Sequence, residues 1–301
     1  MTYFINYFIN PCIRHFVRNR QLNFFKDFIN VIVASLLFLT AFASSANADV
    51  KQSEESFDDS GFHWELDFGL LAFYRETLVK SIADYDREVS LSGVVSGGVY
   101  FDNFFAELAP LSGRPLTFGY TLYKKETRQL NIIAESLFYD ISEDDQENGH
   151  LLDGINDRES SMEVGVEYFG IYKKYDFRVK LLHDGLGKHK GAIGSAELSR
   201  PIFTRHVMFV PGIAITYISE NATDYYYGVS KEEATASRAI YQPNGAWIAT
   251  ARLYLERPMS DDWSFIASAS YSLVSNEILD SPIINHSVEP YSVGIGVLWT
   301  F

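Results

Sequence analysis

The sequence predicts an all-β fold: a transmembrane antiparallel up-and-down β-barrel of about 12 strands with both termini periplasmic. Three observations predict it. First, the final stretch, Val288 to Phe301, sets Tyr291, Val293, Ile295, Val297, Trp299 and Phe301 on one face of an extended strand. Ser292, Gly294, Gly296 and Thr300 fall on the other face, with Leu298 the one exception. That is period two, the repeat of a strand whose faces meet different surroundings, and it closes on an aromatic residue. Second, segments of the same alternation recur along the chain between turn signals. Third, mean hydropathy is only −0.06 while 15% of residues are aromatic. A barrel hides from hydropathy averages because every second strand residue faces the lumen, and aromatic residues supply its interfacial girdles.

The elements follow in order. Strand one sets Phe62, Trp64, Leu66, Phe68 and Leu70 against His63, Glu65, Asp67 and Gly69, lipid against lumen. A polar loop from Glu76 to Arg87 leads to strand two, Val89–Phe101, and Asp102-Asn103 is a tight-turn signal. Strands three (Phe104–Leu108) and four (Leu116–Tyr123) are separated by Ser112-Gly113-Arg114-Pro115, and Lys124-Lys125-Glu126-Thr127 is the next turn. Strand five, Arg128–Ile141, sets Leu130, Ile132, Ala134 and Phe138 against Gln129, Asn131 and Glu135. The charged loop Ser142–Ser160 follows. Strand six, Ser161–Tyr172, turns Met162, Val164, Val166 and Tyr168 outward and Glu163, Gly165 and Glu167 inward. A two-residue turn at Lys173-Lys174 then places Glu167 opposite Lys180 and Phe169 opposite Arg178, with Phe177, Val179 and Leu181 of strand seven facing lipid. Strands eight (Gly191–Ser199) and nine (Phe203–Ile218) join across Arg200-Pro201, and Ser219–Asn244 reads as a second large loop. Strands ten (Trp247–Glu256), eleven (Trp263–Leu273) and the terminal strand complete the set. An even count puts both termini on one side, and the short turns fall on that same side.

Residues 1–48 read as a signal peptide. Arg14, Arg18, Arg20 and Lys26 make a basic leader, an apolar run extends from Phe28 to Phe42, and Ala46-Asn47-Ala48 supplies a small-x-small cleavage pattern. Residues 49–60 are an acidic periplasmic lead-in, and residues 61–301 form the barrel. Without the leader, which holds four Lys or Arg and one Asp, the chain carries 21 basic and 38 acidic residues, a net charge of −17. That balance excludes nucleic acid as a partner. The single cysteine, Cys12, lies in the leader, which removes thiol catalysis and cysteine metal sites. Export and barrel together place the protein in the outer membrane of a Gram-negative envelope, in contact with its lipid and lipopolysaccharide.

Several residues could carry chemistry. His183-Asp184, at the outer end of strand seven near His189, could form an Asp–His dyad, and two histidines six apart could share a metal. The plainer reading, a strand cap and a solvated loop, is preferred. Ser281 and His286 suggest a nucleophile pair, but no glycine elbow surrounds the serine. His150, Asp153 and Asp157 depart from the EF-hand pattern for calcium, and Asn221-Ala222-Thr223 matches a glycosylation sequon without meaning in a bacterial barrel. No catalytic, cofactor-binding or metal residue is assigned. Thr250, Ser264, Ser268, Ser270, Ser272, Ser292, Gly294 and Gly296 make a small-residue lumen with room for water, an inserted loop or a ligand. Pairing among Glu163, Glu167, Lys180, Arg252 and Glu256 would plug that lumen.

Three stretches carry a family resemblance: Tyr226-Tyr227-Gly228-Val229-Ser230-Lys231-Glu232-Glu233-Ala234-Thr235-Ala236-Ser237, Asp262-Trp263-Ser264-Phe265 running on to Ser281-Pro282-Ile283, and Tyr291–Phe301. Together they resemble the MipA/OmpV family, named for an interaction with the murein transglycosylase MltA. Members often carry a small or glycine-containing segment where Arg238-Ala239-Ile240-Tyr241 stands here. The resemblance implies a non-enzymatic outer-membrane barrel that brings a murein lytic transglycosylase to a murein synthase. The alternatives are a small-solute pore, motivated by the Ser/Gly lumen, and a surface adhesin or receptor using the two large loops. A hydrolase comes last.

Overall fold

The computed structural model describes residues 61–75, 89–109, 111, 114–136, 140–142, 152–284 and 290–301. The leader, the lead-in, the loop from Glu76 to Arg87, Phe138, His150 and His286 lie outside the described residues. Twelve strands form one antiparallel sheet. They are β1 (Phe62–Arg75), β2 (Val89–Phe101), β3 (Phe104–Ala109), β4 (Arg114–Lys125), β5 (Arg128–Ser136) and β6 (Met162–Tyr172). Then come β7 (Tyr175–Asp184), β8 (Ala192–Ser199), β9 (Met208–Ile218), β10 (Ala246–Pro258), β11 (Trp263–Val274) and β12 (Tyr291–Thr300). Each strand pairs with its sequence neighbour. β1 also pairs with β12, Phe68 opposite Trp299 and Ala72 opposite Ile295, so the sheet closes. The pair Ile202–Phe203 adds a two-residue ladder to the start of β9.

Alternation decides which face is which. On β6 the outward Val164 and Val166 are exposed, whereas the inward Glu163 and Glu167 are buried. The outer wall is apolar and bounded by aromatic rows. Trp263 and Trp299 stack at 6.3 Å, and Trp299 packs on Phe301, at one end. Tyr74 and Tyr291 meet at 5.6 Å at the other, where Tyr271 lies opposite Tyr291. Trp263 to Tyr271, like Trp299 to Tyr291, spans eight residues, roughly 26 Å along a strand. At a tilt of about 40° that gives a band roughly 20 Å tall, the scale of a hydrocarbon core. Leu298, the exception to the terminal alternation, points inward with Leu71 and Ile266 and is buried against them. Phe105, Ile133 and Leu182 form a second apolar cluster within the barrel.

The two ends differ. Short turns at Asp102-Asn103, Glu126-Thr127, Lys173-Lys174, 200–207 and 259–262 share one end with Phe62 and Thr300. Asp102 and Lys173 take positive φ, 50° and 58°, at the first position of their two-residue turns, whereas Glu126-Thr127 turns without one. Three boundaries differ from the alternation reading. The described part of β5 ends at Ser136, and Ile141 makes an isolated bridge to Arg158. β9 begins at Met208, because Thr204 and Val207 close a turn on themselves. The stretch read as the loop Ser219–Asn244 opens with a helix, α1 (Glu220–Tyr227), and α2 (Asn276–Leu279) follows β11.

Closure makes a testable demand at Gly296. A Cβ there would strike the carbonyl of Leu70 and the Leu71 side chain, and backbone cannot yield as a side-chain tip can. Gly296→Val is expected to cost at least about 3 kcal/mol, the upper part of the overpacking range. Gly93→Ala, where nothing lies within 4 Å, should be close to neutral. The urea midpoint at which the barrel loses its heat-modifiable gel migration measures both.

Candidate functional site

The interior polar groups form a chain of charge around half the wall. β5 turns Asn131 and Glu135 inward, β6 Glu163 and Glu167, β7 Arg178 and Lys180, β8 Glu197, and β10 Arg252. Glu167 lies opposite Lys180 and Phe169 opposite Arg178, the register that a two-residue Lys173-Lys174 turn dictates. Lys180 bridges to Glu135 and lies 4.0 Å from Glu167. Arg178 stands 3.1 Å from Glu167 and 3.9 Å from Glu197, with its guanidinium over the Phe169 ring. Arg252 completes the chain at 3.1 Å from Glu197. Gly212 sits opposite Arg252 on the intervening β9. Asn131 Nδ2 donates to Glu167 and Thr117 to Glu135. Glu256 takes no part; it accepts from the Tyr254 hydroxyl at 2.9 Å. Beside the belt is a cavity of about 170 Å³ lined by Phe105, Glu107, Gln129, Asn131, Glu167, Phe169 and Arg178. Asn131 Oδ1 is buried there without a hydrogen-bond partner among the described residues.

The small-residue wall of β10 to β12 is filled from within. Thr250 and Ser272 hydrogen-bond at 2.9 Å, and Ser270 and Ser292 at 2.8 Å. The space above Gly294 is taken by the Phe73 ring, and that above Gly296 by Leu71, both from β1. Strand β1 therefore occupies the room that the small residues leave.

At the end opposite the short turns, three connections share one core. Ile141, Leu152 and Ile155 pack with Tyr226, Tyr227 and Val229 and with Ile278, Ile283 and Ile284. Glu233 organises their polar edge: it accepts the N–H groups of Ser230 (2.8 Å) and Asn156 (2.9 Å) and pairs with Arg158 at 2.8 Å. Arg158 also donates to the Gly228 carbonyl, and Arg238 to the carbonyls of Glu233 and Asp153. Burial pushes the Glu233 carboxyl up, but the N–H donors of Ser230 and Asn156 and the Arg158 charge outweigh it and hold the pKa at about 2. Alternation analysis passed over this cap. The available signal was apolar spacing: Ala222, Tyr226 and Tyr227 at helical intervals, then Ile278, Ile283 and Ile284.

The histidine cluster is built otherwise than as a dyad. His183 lies opposite the outward Val164 and is exposed, while Asp184, one residue on, points inward. Asp184 accepts the N–H groups of Leu186 and Gly187 on one oxygen and of His189 and Lys190 on the other, with the Ser161 hydroxyl as a fifth donor. The His189 Nδ1 accepts the Gly191 N–H at 3.0 Å, so the ring hydrogen sits on Nε2 and is donated to Glu163 at 2.6 Å. Ligand atoms of Glu163, Asp184 and His189 lie within 4.8 Å of one another, metal-like spacing. Five donors already occupy the Asp184 carboxylate, however, and the cluster ties down the β7–β8 connection. The remaining candidates are dispersed. Ser281 is buried and donates to the Tyr227 carbonyl at 2.6 Å. Asp153 serves through its carbonyl, and Asp157 is exposed.

Comparison with known proteins bears on this geometry. The profile of the family described as MltA-interacting protein MipA matches residues 68–301. The MltA-interacting protein of Escherichia coli (strain K12) is 31% identical over 206 residues, covering 68% of this chain and 79% of that protein. The outer membrane protein OmpV of Vibrio cholerae is 25% identical over 268 residues, covering 88% and 98%. The YiaT protein of Escherichia coli (strain K12) is 25% identical over 238 residues, covering 79% and 91%.

Two outcomes follow from the pairing. Lys180→Met strands Glu135, while Glu167 keeps Arg178, and should destabilise the barrel by about 3–5 kcal/mol, the cost of breaking a buried pair from one side. Adding Glu135→Gln to it should restore part of that loss, read from urea midpoints. The Glu233 carboxyl, depressed in the folded chain, stabilises the cap fully above the ordinary Glu pKa of about 4.3. That contribution is lost as pH falls toward 2. Amide exchange at Ser230 and Asn156 should accelerate across this window, and Glu233→Gln should abolish the pH dependence.

Proposed function

The chain belongs to the MltA-interacting protein MipA family, and on that premise we propose that it is a non-enzymatic outer-membrane scaffold for murein-remodelling enzymes. The scaffold brings a lytic transglycosylase to a murein synthase. The observation that carries this reading is the 31% identity to a relative named for its interaction with MltA. The interior adds support. Its charges are spent on one another, and apolar clusters from Leu71, Ile266 and Leu298 and from Phe105, Ile133 and Leu182 occupy further space. Ser281, Asp184 and His189, the side chains best suited to chemistry, are engaged in loop structure.

In this reading the signal peptide is removed after Ala48, and the short-turn end, with both termini, faces the periplasm. The turns and residues 49–60 then meet the enzymes, while the packed cap faces outward among lipopolysaccharide. The cavity beside Asn131 favours the alternative of a small-solute pore, but the pairing of Glu135 with Lys180 lies further along the same wall.

The test is affinity capture. Folded protein, immobilised through the cap, is exposed to solubilised envelope extract beside an unrelated barrel, and bound proteins are identified by mass spectrometry. A murein transglycosylase and a synthase should be enriched over the control. Their absence with a demonstrably folded barrel would contradict the scaffold.

A further inference from the structure

Although the exported chain carries a net charge of −17, three neighbouring turns of the short-turn end hold more cations than carboxylates, while the other two hold Asp102, Asp261 and Asp262. Three successive hairpins around the barrel contribute: Lys124 and Lys125, then Lys173 and Lys174, then Arg200 and Arg205. Their cations differ from the paired ones of the belt and the cap. Arg158, Arg178, Lys180, Lys188 and Arg252 all sit in ion pairs. Lys173, Lys174, Arg200 and Arg205 have no carboxylate within ion-pair distance among the described residues.

Instead, each hairpin holds a cation against a tyrosine at its strand end. Lys125 Nζ lies 5.7 Å from the Tyr123 ring, Lys173 Nζ 5.2 Å from Tyr172, and the Arg200 guanidinium 5.6 Å from Tyr175. These rings face outward. Tyr172 and Tyr175 are register partners on the lipid face of β6 and β7. Tyr123 is brought to that face, opposite Leu130, by the register shift after Thr121. Tyr172 stands 64% exposed on that face, apolar surface for an acyl chain to cover.

We propose that this rim is a binding site for anionic glycerophospholipid, with the phosphodiester held by Lys173, Lys174 and Arg200 and the acyl chains lying along Tyr172 and Tyr175. Cations held over interfacial aromatic rings sit at headgroup depth, where each gains attraction from an anionic leaflet. The site fixes the short-turn end in a phospholipid leaflet and distinguishes that end from the cap.

Native mass spectrometry of the detergent-solubilised full chain, titrated with phosphatidylglycerol or with phosphatidylcholine of the same acyl chains, tests it. Phosphatidylglycerol should be retained preferentially. The triple variant K173Q/K174Q/R200Q should bind it on the order of a hundredfold more weakly, at roughly fivefold per cation. K190Q/K231Q, at the opposite end, should bind as the parent does. The preference of the unaltered chain should also fall as ionic strength rises, a readout that needs no substitution. Equal binding of the two lipids, a triple variant that keeps the preference, or indifference to ionic strength would overturn the proposal. So would displacement of the lipid by millimolar inorganic phosphate, which would assign the cations to a soluble anion.

Discussion

A sheet surrounded by lipid cannot keep an edge. No water is present to satisfy the N–H and C=O groups of an unpaired strand, so the first and last strands must find each other. Here that pairing joins β1 to β12 in the register Asp67 with Thr300 through Arg75 with Ser292. Much else follows from it. The register brings Phe73 over Gly294 and Leu71 over Gly296, so the strand that closes the barrel also fills it. Leu298 turns inward because Leu71 and Ile266 are there to receive it. The aromatic rows align because neighbouring strands of this seam are matched in length, Trp263 beside Trp299 and Tyr271 beside Tyr291.

The opposite half of the wall solves another problem. Buried charges are costly unless they meet partners, and the strand period puts Glu135, Glu167, Arg178, Lys180, Glu197 and Arg252 on one face where partners are available. An apolar seam and an ionic belt line different parts of the interior wall, and the cap adds a separate core built on Tyr226, Tyr227 and Ile283. The two ends of the barrel present different chemistry, packed connections at one and cation-bearing hairpins at the other.

Much of this was legible in the sequence, for a physical reason. Strand alternation and turn chemistry are local, so Val89–Phe101, the Lys173-Lys174 hairpin and the Glu167–Lys180 register could be read directly and agree with the structure. What alternation cannot report is contact between distant segments. Small residues at Gly294 and Gly296 could not reveal whether water, a loop or a ligand lay above them, because the occupant comes from a strand more than two hundred residues earlier. The polar stretch from Ser219 hid a helix whose apolar face is matched only by residues of two other connections. His183-Asp184 suggested a dyad by adjacency, yet adjacent strand residues point to opposite faces.

The central claim is that the interior is occupied and the protein works through its ends. Single-channel recording of the folded protein in a planar bilayer tests this most directly. The account predicts an electrically silent barrel, with conductance appearing when Lys180→Met or Arg252→Ala opens the ionic belt. A steady open conductance from the unaltered chain would contradict it and return solute passage to the first place.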